Sequence, residues 1–205
     1  MKNIYLVGDS IRFGAAHASD SNLFSPGYEC YVREKLRGRV GVYAPEENCR
    51  FTQYTLRFLN KWAGTVPAGQ IDLVHWNNGL WDAVRQFGDE PLNPIDVYVA
   101  TLRRIYARIR LLFPNAQIVF ALTTPVIEEK QNKDSRRRNS DIEAYNKAAA
   151  ETMRELGVPV NDLYTLAKGF DDSYYSDAVH FNEKGCDALA EQVAKVCMEL
   201  LEQGR

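Results

Sequence analysis

The sequence has 205 residues, a length that predicts one domain over residues 1–205 and is too short for two full ones. Its 25 basic and 27 acidic residues leave a formal net charge of −2, so no general field attracts nucleic acid or an anionic membrane. No stretch approaches the roughly 18 consecutive apolar residues of a membrane span, and the first residues lack the pattern of a signal peptide. These features predict a cytoplasmic protein without nucleic-acid or membrane partners, and they favour a neutral substrate.

The sequence carries no signature of a metal site or an organic cofactor. Its four cysteines lie far apart and form no C-x-x-C pair, which argues against a zinc ribbon and against a redox motif. None of its three histidines has a second histidine or cysteine at metal-ligand spacing. We therefore expect reduced thiols, no protein-bound catalytic metal and no cofactor.

Short apolar runs alternate along the chain with longer amphipathic stretches. The runs occupy residues 3–7, 40–44, 71–76, 116–124 and 158–162. Continuous apolar runs separated by helical patterns indicate a parallel sheet that is covered on both faces. The sequence therefore predicts a three-layer α/β/α fold around a central sheet of five parallel strands.

Two of the stretches between these runs have the pattern of helices. Residues 94–113 place apolar side chains on one helical face and arginines largely on the others, which predicts a helix with a solvated basic face. Ser140 and Glu143 match the capping-box pattern, and Gly157 stands where a glycine commonly ends a helix. We expect a second helix that is capped by Ser140 and ends before Gly157.

The segment 128–140 is charged, lacks apolar residues and lies between a strand end and the capped helix. Its composition predicts an exposed loop. Because sites in open α/β sheets lie beyond the carboxyl ends of the strands, the segment is also a candidate border of such a site. The sequence leaves both interpretations open.

Gly8-Asp9-Ser10 follows the first predicted strand, so Ser10 falls at the carboxyl end of that strand, where α/β proteins place their ligands. A small residue lets the chain turn sharply there, and backbone N–H groups after the turn can face developing negative charge. The same three residues also suit a simple helix cap. Ser10 is a candidate nucleophile if a base lies within reach.

Asp177-Ala178-Val179-His180 precedes the last predicted helix and offers that base. A serine nucleophile needs a group that takes its proton, and a histidine in this role needs a carboxylate that fixes its tautomer and stabilises the imidazolium. A spacing of three residues lets one short loop provide both groups. Both motifs are expected at the carboxyl edge of the sheet, although they are far apart in sequence.

The two motifs resemble those of the SGNH (GDSL-type) hydrolases, a family of serine esterases and lipases with a flavodoxin-like sheet. The resemblance covers nearly the whole chain. It implies a catalytic triad in which Ser10 is the nucleophile, His180 the base and Asp177 the acid. It also implies an oxyanion hole made of the Ser10 N–H, a glycine N–H after the second strand, and an asparagine side chain in a G-x-N-D motif after the third.

The chain departs from that family in both middle motifs. After the second strand Cys49 stands where a glycine is expected, and the N–H of Cys49 or Arg50 is a candidate donor because the side chain takes no part. After the third strand, the alignment of Gly79 and Asp82 on G-x-N-D places Trp81 at the asparagine position. An indole does not replace an amide in the same geometry.

Two amides just upstream offer a replacement. The stretch NNGLWD at 77–82 is similar to a variant SGNH branch with the pattern N-x-G-L-H/W-D, which implies that Asn77 takes the oxyanion role. Asn78 is the second candidate. The alternation of side chains along a strand argues against both amides pointing into one site.

Arg12 and Trp81 are candidate substrate-binding residues. Arg12 lies two residues after the candidate nucleophile, where it can contact a substrate or orient a loop carboxylate; a structural salt bridge is the alternative. Trp81 offers an aromatic face of the kind on which a sugar ring stacks, and a place in the partly buried core is its alternative.

The resemblance implies a serine esterase that requires no metal and no organic cofactor. The variant motif is similar to branches of carbohydrate O-acetyl esterases, so the expected partner is a small-molecule ester or an acetylated saccharide, and the expected reaction is removal of an acetyl group. A short-chain lipid-type or thioester-type esterase is the alternative within the family. A non-catalytic carbohydrate-binding protein on the same fold is the alternative outside it, and a homo-oligomer stays open.

Overall fold

A computed structural model describes residues 1–16 and 24–203. Its centre is a sheet of five parallel strands, β1 (Lys2–Val7), β2 (Val40–Tyr43), β3 (Leu73–Trp76), β4 (Gln117–Ala121) and β5 (Val160–Asn161). The strands lie in the order β2-β1-β3-β4-β5, and all neighbouring pairs are parallel. The predicted α/β fold with a central five-stranded parallel sheet is confirmed.

Strands β1 and β3 end side by side, and this pairing positions the site. Val7 pairs with Trp76 in the register of the two strands, and the N–H of Asn77 donates to the carbonyl of Val7 over 2.9 Å. The chain after β1 and the chain after β3 therefore leave the sheet at the same edge. Gly8 and Asn77 are consequently neighbours in space.

Helices flank the sheet in two groups. In one group the helix Tyr28–Lys35 packs against Glu183–Gln203; in the other, Thr52–Ala63 and Asn139–Glu155 both pack against Ile95–Leu112. Within the described ranges no helix is both long and apolar enough to cross a membrane. The helices are α1 (Ser10–Phe13), α2 (Tyr28–Lys35), α3 (Thr52–Ala63), α4 (Ile95–Leu112), α5 (Asn139–Glu155), α6 (Leu163–Lys168) and α7 (Glu183–Gln203).

The predicted capping box at the start of α5 is wrong. The helix begins at Asn139, one residue before the expected cap; the side chain of Arg138, which precedes it, makes no cap, and the N–H of Asn139 donates to Glu128 Oε1 at 2.7 Å. The Glu143 carboxylate instead accepts hydrogen bonds from Tyr164 and Lys168, so a tertiary contact takes the group that a local cap would use. At the other end Gly157 adopts a φ of +68°, as expected of a glycine that follows a helix.

Two short antiparallel ribbons and three 3₁₀ turns complete the described structure. One ribbon joins Gly14–Ala16 to Phe24–Pro26, and the other joins Arg85–Gln86 to Ser135–Arg136. The second ribbon ties the charged segment 128–140 to the connection that follows β3. The 3₁₀ turns are Ala68–Gln70, Glu128–Lys130 and Asp172–Tyr174.

Candidate active site

The turn after β1 places Ser10 at the edge of the sheet. The carboxylate of Asp9 accepts a hydrogen bond from the N–H of Ile11 at 3.0 Å and caps α1, of which Ser10 is the first residue. Gly8 is required by close packing, because a Cβ at this position would lie 2.1 Å from Asn77 Oδ1. Both readings of this motif therefore hold, since the turn is a helix cap and also presents a serine hydroxyl.

Ser10, His180 and Asp177 form a continuous hydrogen-bonded relay. His180 Nε2 lies 2.9 Å from Ser10 Oγ, and His180 Nδ1 lies 2.8 Å from Asp177 Oδ2. A carboxylate only accepts, so the proton of a neutral imidazole belongs on Nδ1 and the lone pair on Nε2 faces the serine hydroxyl. This arrangement can take a proton from Ser10 and return it to a leaving group.

The Asp177 carboxylate is held in place by its own loop. Its Oδ1 accepts hydrogen bonds from the N–H groups of Val179 and His180, both at 2.7 Å, which leaves Oδ2 for the imidazole. Partial burial opposes the ionisation of Asp177, but the hydrogen bonds and the charge of His180, together with these N–H groups, lower its pKa to about 2. Asp177 therefore stays ionised at neutral pH.

The loop that carries the acid and the base is fixed to neighbouring chain segments. The N–H of Ser176 donates to the carbonyl of His180 at 2.9 Å, and the carbonyl of Ala178 accepts the N–H of Ile127 at 2.8 Å. The second bond joins this loop to the chain that follows β4. Among residues 1–16 and 24–203 there is no cluster of three or more histidine, cysteine, aspartate or glutamate side chains placed to hold a metal ion.

The two candidate asparagines have different environments. Asn78 Oδ1 accepts the indole N–H of Trp76 at 2.7 Å, and Asn78 Nδ2 donates to the carbonyl of Arg50 at 2.9 Å and to Thr55 Oγ1 at 3.0 Å. Both N–H groups of this amide therefore donate to other residues, and the prediction of Asn78 as a second candidate oxyanion donor is wrong. The side chain of Asn77 instead lies over Gly8, two residues before Ser10.

The backbone N–H groups that were predicted as oxyanion donors after β2 are also used in other hydrogen bonds, so this prediction is wrong. The N–H of Cys49 donates to the carbonyl of Gly8 at 3.1 Å, and the N–H of Arg50 donates to Asn48 Oδ1 at 2.8 Å. Cys49 therefore ties its loop to the turn before Ser10 and does not offer its N–H to an oxyanion. By contrast, the N–H of Ser10 makes no hydrogen bond within the described part of the chain.

Comparison with known proteins decides the family. The profile of the GDSL-like Lipase/Acylhydrolase family matches residues 6–188, which include both the GDS turn and the relay loop. The chain belongs to this family. Its members are ester hydrolases, and the predicted resemblance is thereby confirmed.

Individual relatives of this GDSL-family chain are distant in sequence. The GDSL esterase/lipase CPRD49 of Arabidopsis thaliana is 26% identical over 207 residues, which cover 96% of this chain and 78% of the relative. The lipase/acylhydrolase structure from Enterococcus faecalis matches with a TM-score of 0.74 at 20% identity, over 99% of this chain and 97% of that one. A carbohydrate esterase family 3 structure from Talaromyces cellulolyticus matches with a TM-score of 0.72 at 17% identity, over 99% of both chains. The two structures share the fold with this chain.

Arg12 is buried in this GDSL-family chain and does not reach a substrate. Its side chain is 0% exposed, forms an ion pair with Glu29, and donates to the carbonyls of Pro45 at 2.9 Å and Glu47 at 2.6 Å. The prediction of Arg12 as a substrate-binding residue is wrong, because α2 and the loop after β2 supply acceptors that enclose the guanidinium. Arg12 joins α1 to both of these elements.

Trp81 is half-buried, and its indole Nε1 is buried without a hydrogen-bond partner in the described part of the chain. A buried N–H of this kind usually has an acceptor. The structure contains no feature that tests the predicted stacking of a sugar ring on Trp81. Its role in substrate binding stays a prediction.

Arg137 was not singled out by the sequence, yet it lies at the site. Its Nε donates to the carbonyl of Leu80 at 2.6 Å, in the connection that contains Asn77 and Trp81. Burial lowers the pKa of Arg137, and the negative charges of Asp9 and Asp177 act in the opposite direction. The segment 128–140 therefore borders the site, which is the second of its two interpretations.

Two buried carboxylates, Asp9 and Asp82, lie in the connections that follow β1 and β3. Asp9 has its pKa raised by burial, against which the N–H of Ile11 and the charge of Arg137 act. Asp82 accepts hydrogen bonds from Thr52 and Asn93 through Oδ1, but burial dominates and raises its pKa to about 6. Asp82 thereby joins the connection after β3 to the start of α3.

Proposed function

We propose that this chain is a serine esterase that removes short acyl groups, above all acetyl groups, from sugars or oligosaccharides. The relay from Asp177 through His180 to Ser10 supports this proposal more than any other observation, with hydrogen-bond distances of 2.8 and 2.9 Å. Such a relay activates a hydroxyl that is otherwise a weak nucleophile at neutral pH. The family assignment to the ester hydrolases agrees with it.

In the first half-reaction Ser10 Oγ attacks the ester carbonyl while His180 Nε2 takes its proton. The ionised Asp177 stabilises the imidazolium, which then gives the proton to the leaving alcohol as the C–O bond breaks. An acyl-enzyme remains on Ser10. In the second half-reaction His180 takes a proton from water, the resulting nucleophile attacks the acyl carbonyl, and the acid is released as Ser10 is reprotonated.

Attack by Ser10 places a negative charge on the oxygen of the ester carbonyl, and hydrogen-bond donors that are already in position stabilise this charge. We assign this role to the N–H of Ser10, which has no acceptor among the described residues, and to the amide of Asn77, which lies over Gly8 and also interacts with the carboxylate of Asp9. Trp81 stands at the asparagine position of the G-x-N-D motif, and Asn77, four residues upstream, takes over the role of that asparagine. The side chain of Asn78 stabilises the same connection through its hydrogen bonds with Trp76 and Thr55.

The choice of a saccharide ester is supported by the polar character of the site. The connection after β3 contains Asn77 and Trp81 and is bound by Arg137, whereas a lipid esterase would need a long apolar surface for its acyl chain. The fold is shared with a carbohydrate esterase from Talaromyces cellulolyticus. We also propose a cytoplasmic location, which fractionation of the native cells tests.

The experiment that tests the function uses p-nitrophenyl esters of increasing chain length and a panel of acetylated sugars. We expect hydrolysis of p-nitrophenyl acetate by the wild type and a loss of at least about a thousandfold in kcat for Ser10→Ala. Ser173→Ala, at an exposed serine outside the relay, is the matched control and should retain the wild-type rate. Equal rates for Ser10→Ala and the wild type would refute the esterase mechanism, and a preference for long acyl chains would refute the acetyl assignment.

A further inference from the structure

The guanidinium of Arg137 is positioned by an ordered frame, not by a flexible loop. The N–H of Arg137 donates to Gln131 Oε1 at 2.6 Å, and Gln131 Nε2 donates back to the carbonyl of Arg137 at 2.7 Å. Asn139 makes an equivalent pair of bonds with the backbone of Val126, at 2.9 and 3.0 Å. These two side-chain clamps hold the chain on both sides of Arg137, so its direction is set before any substrate binds.

Of the three consecutive arginines at 136–138, only the middle one is turned toward the interior. Arg136 and Arg138 are exposed, whereas Arg137 between them is half-buried and reaches the carbonyl of Leu80 through Nε. Arg136 and Arg138 form no ion pair with any described residue. The segment therefore carries one inward cation between two exposed cations.

The terminal nitrogens of Arg137 have no protein acceptor within the described residues. The contrast with Arg85, on the partner strand of the same ribbon, is direct, because Arg85 Nε and Nη2 bind the two oxygens of Asp141 at 2.7 and 3.1 Å. A guanidinium is matched in shape to a carboxylate or phosphate, which it binds through two parallel hydrogen bonds. Arg137 lacks the partner that Arg85 has.

Neither of the carboxylates near Arg137 serves as that partner. Asp177 uses Oδ2 for His180 and Oδ1 for two backbone N–H groups. Asp9 is 0% exposed and uses Oδ1 to cap α1. Neither forms an ion pair with Arg137, so the guanidinium remains available to a ligand that enters the site.

We propose that Arg137 binds an anionic group on the alcohol portion of the ester, so that the preferred substrates are short-acyl esters of acidic sugars that carry a carboxylate or a phosphate. The inference rests on the proposed esterase function. An acetyl group carries no charge, so under that function the anion must belong to the alcohol.

The test compares matched acetate esters that differ only in charge. Acetylated methyl glucoside and acetylated methyl glucuronide share a ring and differ at one carbon, and acetylated glucose 6-phosphate forms the phosphate arm. We expect the wild type to favour the anionic esters over the neutral one by about tenfold or more in kcat/KM, mainly through KM. The arm with the higher kcat/KM identifies the anion, and added salt should reduce the preference.

The decisive quantity is the ratio of kcat/KM for an anionic ester to that for its neutral match. Arg137→Gln should bring this ratio close to one, and Arg137→Lys should retain part of it, because the ammonium keeps the charge but cannot bind Leu80 and an anion as a fork. Arg138→Gln is the matched control and should keep the wild-type ratio. Melting temperatures of all variants separate loss of folding from loss of recognition.

Two results would overturn the proposal. One is a wild-type ratio near one, and the other is a ratio that Arg137→Gln leaves unchanged while the rates for both esters fall together, which is what a purely structural bond to Leu80 would produce. Failure of the esterase function is distinguishable, because the wild type would then hydrolyse neither the sugar esters nor p-nitrophenyl acetate.

Discussion

The side chain of Asn77 occupies the space that a Cβ on Gly8 would need. That Cβ would lie 2.1 Å from Asn77 Oδ1 and 2.9 Å from the Cβ of Arg12. The contact follows from the parallel pairing of β1 with β3, which sets Val7 opposite Trp76. Gly8 thus allows the amide and the nucleophile's turn to approach each other closely.

Gly8→Ala should damage both the fold and the activity. Overpacking of this kind costs about 1–3 kcal/mol, and relief of the clash requires Asn77 to move away from Ser10. We expect a lower free energy of unfolding in urea and a lower kcat for p-nitrophenyl acetate. Gly69→Ala is the control, since a Cβ there has no heavy atom within 4 Å. Wild-type kcat in Gly8→Ala would show that the position of Asn77 does not matter for the reaction.

The two neighbouring asparagines should respond differently to the same substitution. Asn77→Ala removes a proposed oxyanion donor, so we expect kcat to fall by roughly a hundredfold or more while the fold persists. Asn78→Ala breaks buried hydrogen bonds to Trp76, Arg50 and Thr55, so we expect its main effect to be a loss of stability of about 1–3 kcal/mol. Urea unfolding and steady-state kinetics on both variants check this, and a reversed pattern would assign the oxyanion role to Asn78.

Asp82 should make stability depend on pH between about 4 and 6. Its folded pKa of about 6 exceeds the value of about 3.9 expected in the unfolded chain, because burial disfavours the charge. The folded state therefore binds the proton more tightly, and the contribution of Asp82 is most favourable below pH 4 and is lost as the pH rises through 6. The loss is on the order of 3 kcal/mol.

Asp82→Asn keeps an oxygen that accepts hydrogen bonds from Thr52 and Asn93, but it carries no charge. The stability of this variant should therefore lack the decline that Asp82 causes as the pH rises from 4 to 6. Urea unfolding of the wild type and the variant at pH 4, 5, 6 and 7.5 measures the difference. Asp134→Asn, at an exposed position, serves as the control and should retain the wild-type pH dependence. If the difference in stability between wild type and Asp82→Asn is the same at every pH, Asp82 does not titrate in this range.

The parts that could be predicted from the sequence depend on local pattern. The apolar runs predicted all five strands, because a strand buried on both faces has to be apolar along its length. Ser10, Asp177 and His180 stood out because each motif is short and the chemistry restricts the residue types. Gly157 followed from the conformation that a residue after a helix adopts.

The parts that could not be predicted depend on partners far along the chain. Arg12 meets Glu29 and the carbonyls of Pro45 and Glu47, and no pattern around Arg12 indicates those acceptors. The backbone N–H of Cys49 was assigned by its position after a strand, while its bond to Gly8 depends on the exact path of the loop. Both cases concern hydrogen bonds that only the assembled fold determines.

Arg137 shows a second reason why the sequence alone did not predict the whole site. The net charge of −2 favoured a neutral substrate, but a sum over all side chains does not record where the unpaired charges lie. In segment 128–140 the arginines looked like a solvated surface. Arg137 is the one that turns inward, and the carbonyl that it binds, that of Leu80, lies 57 residues earlier in the chain.

The hydrogen bond between Ser10 and His180 joins residues that are 170 positions apart. Bringing together residues so far apart in the chain costs loop-closure entropy, which the assembled sheet has to offset. Ester hydrolysis by this chain is therefore a signal of complete assembly. A refolding experiment followed by enzyme activity would time the assembly of the relay, and circular dichroism in the same experiment would time the formation of the helices.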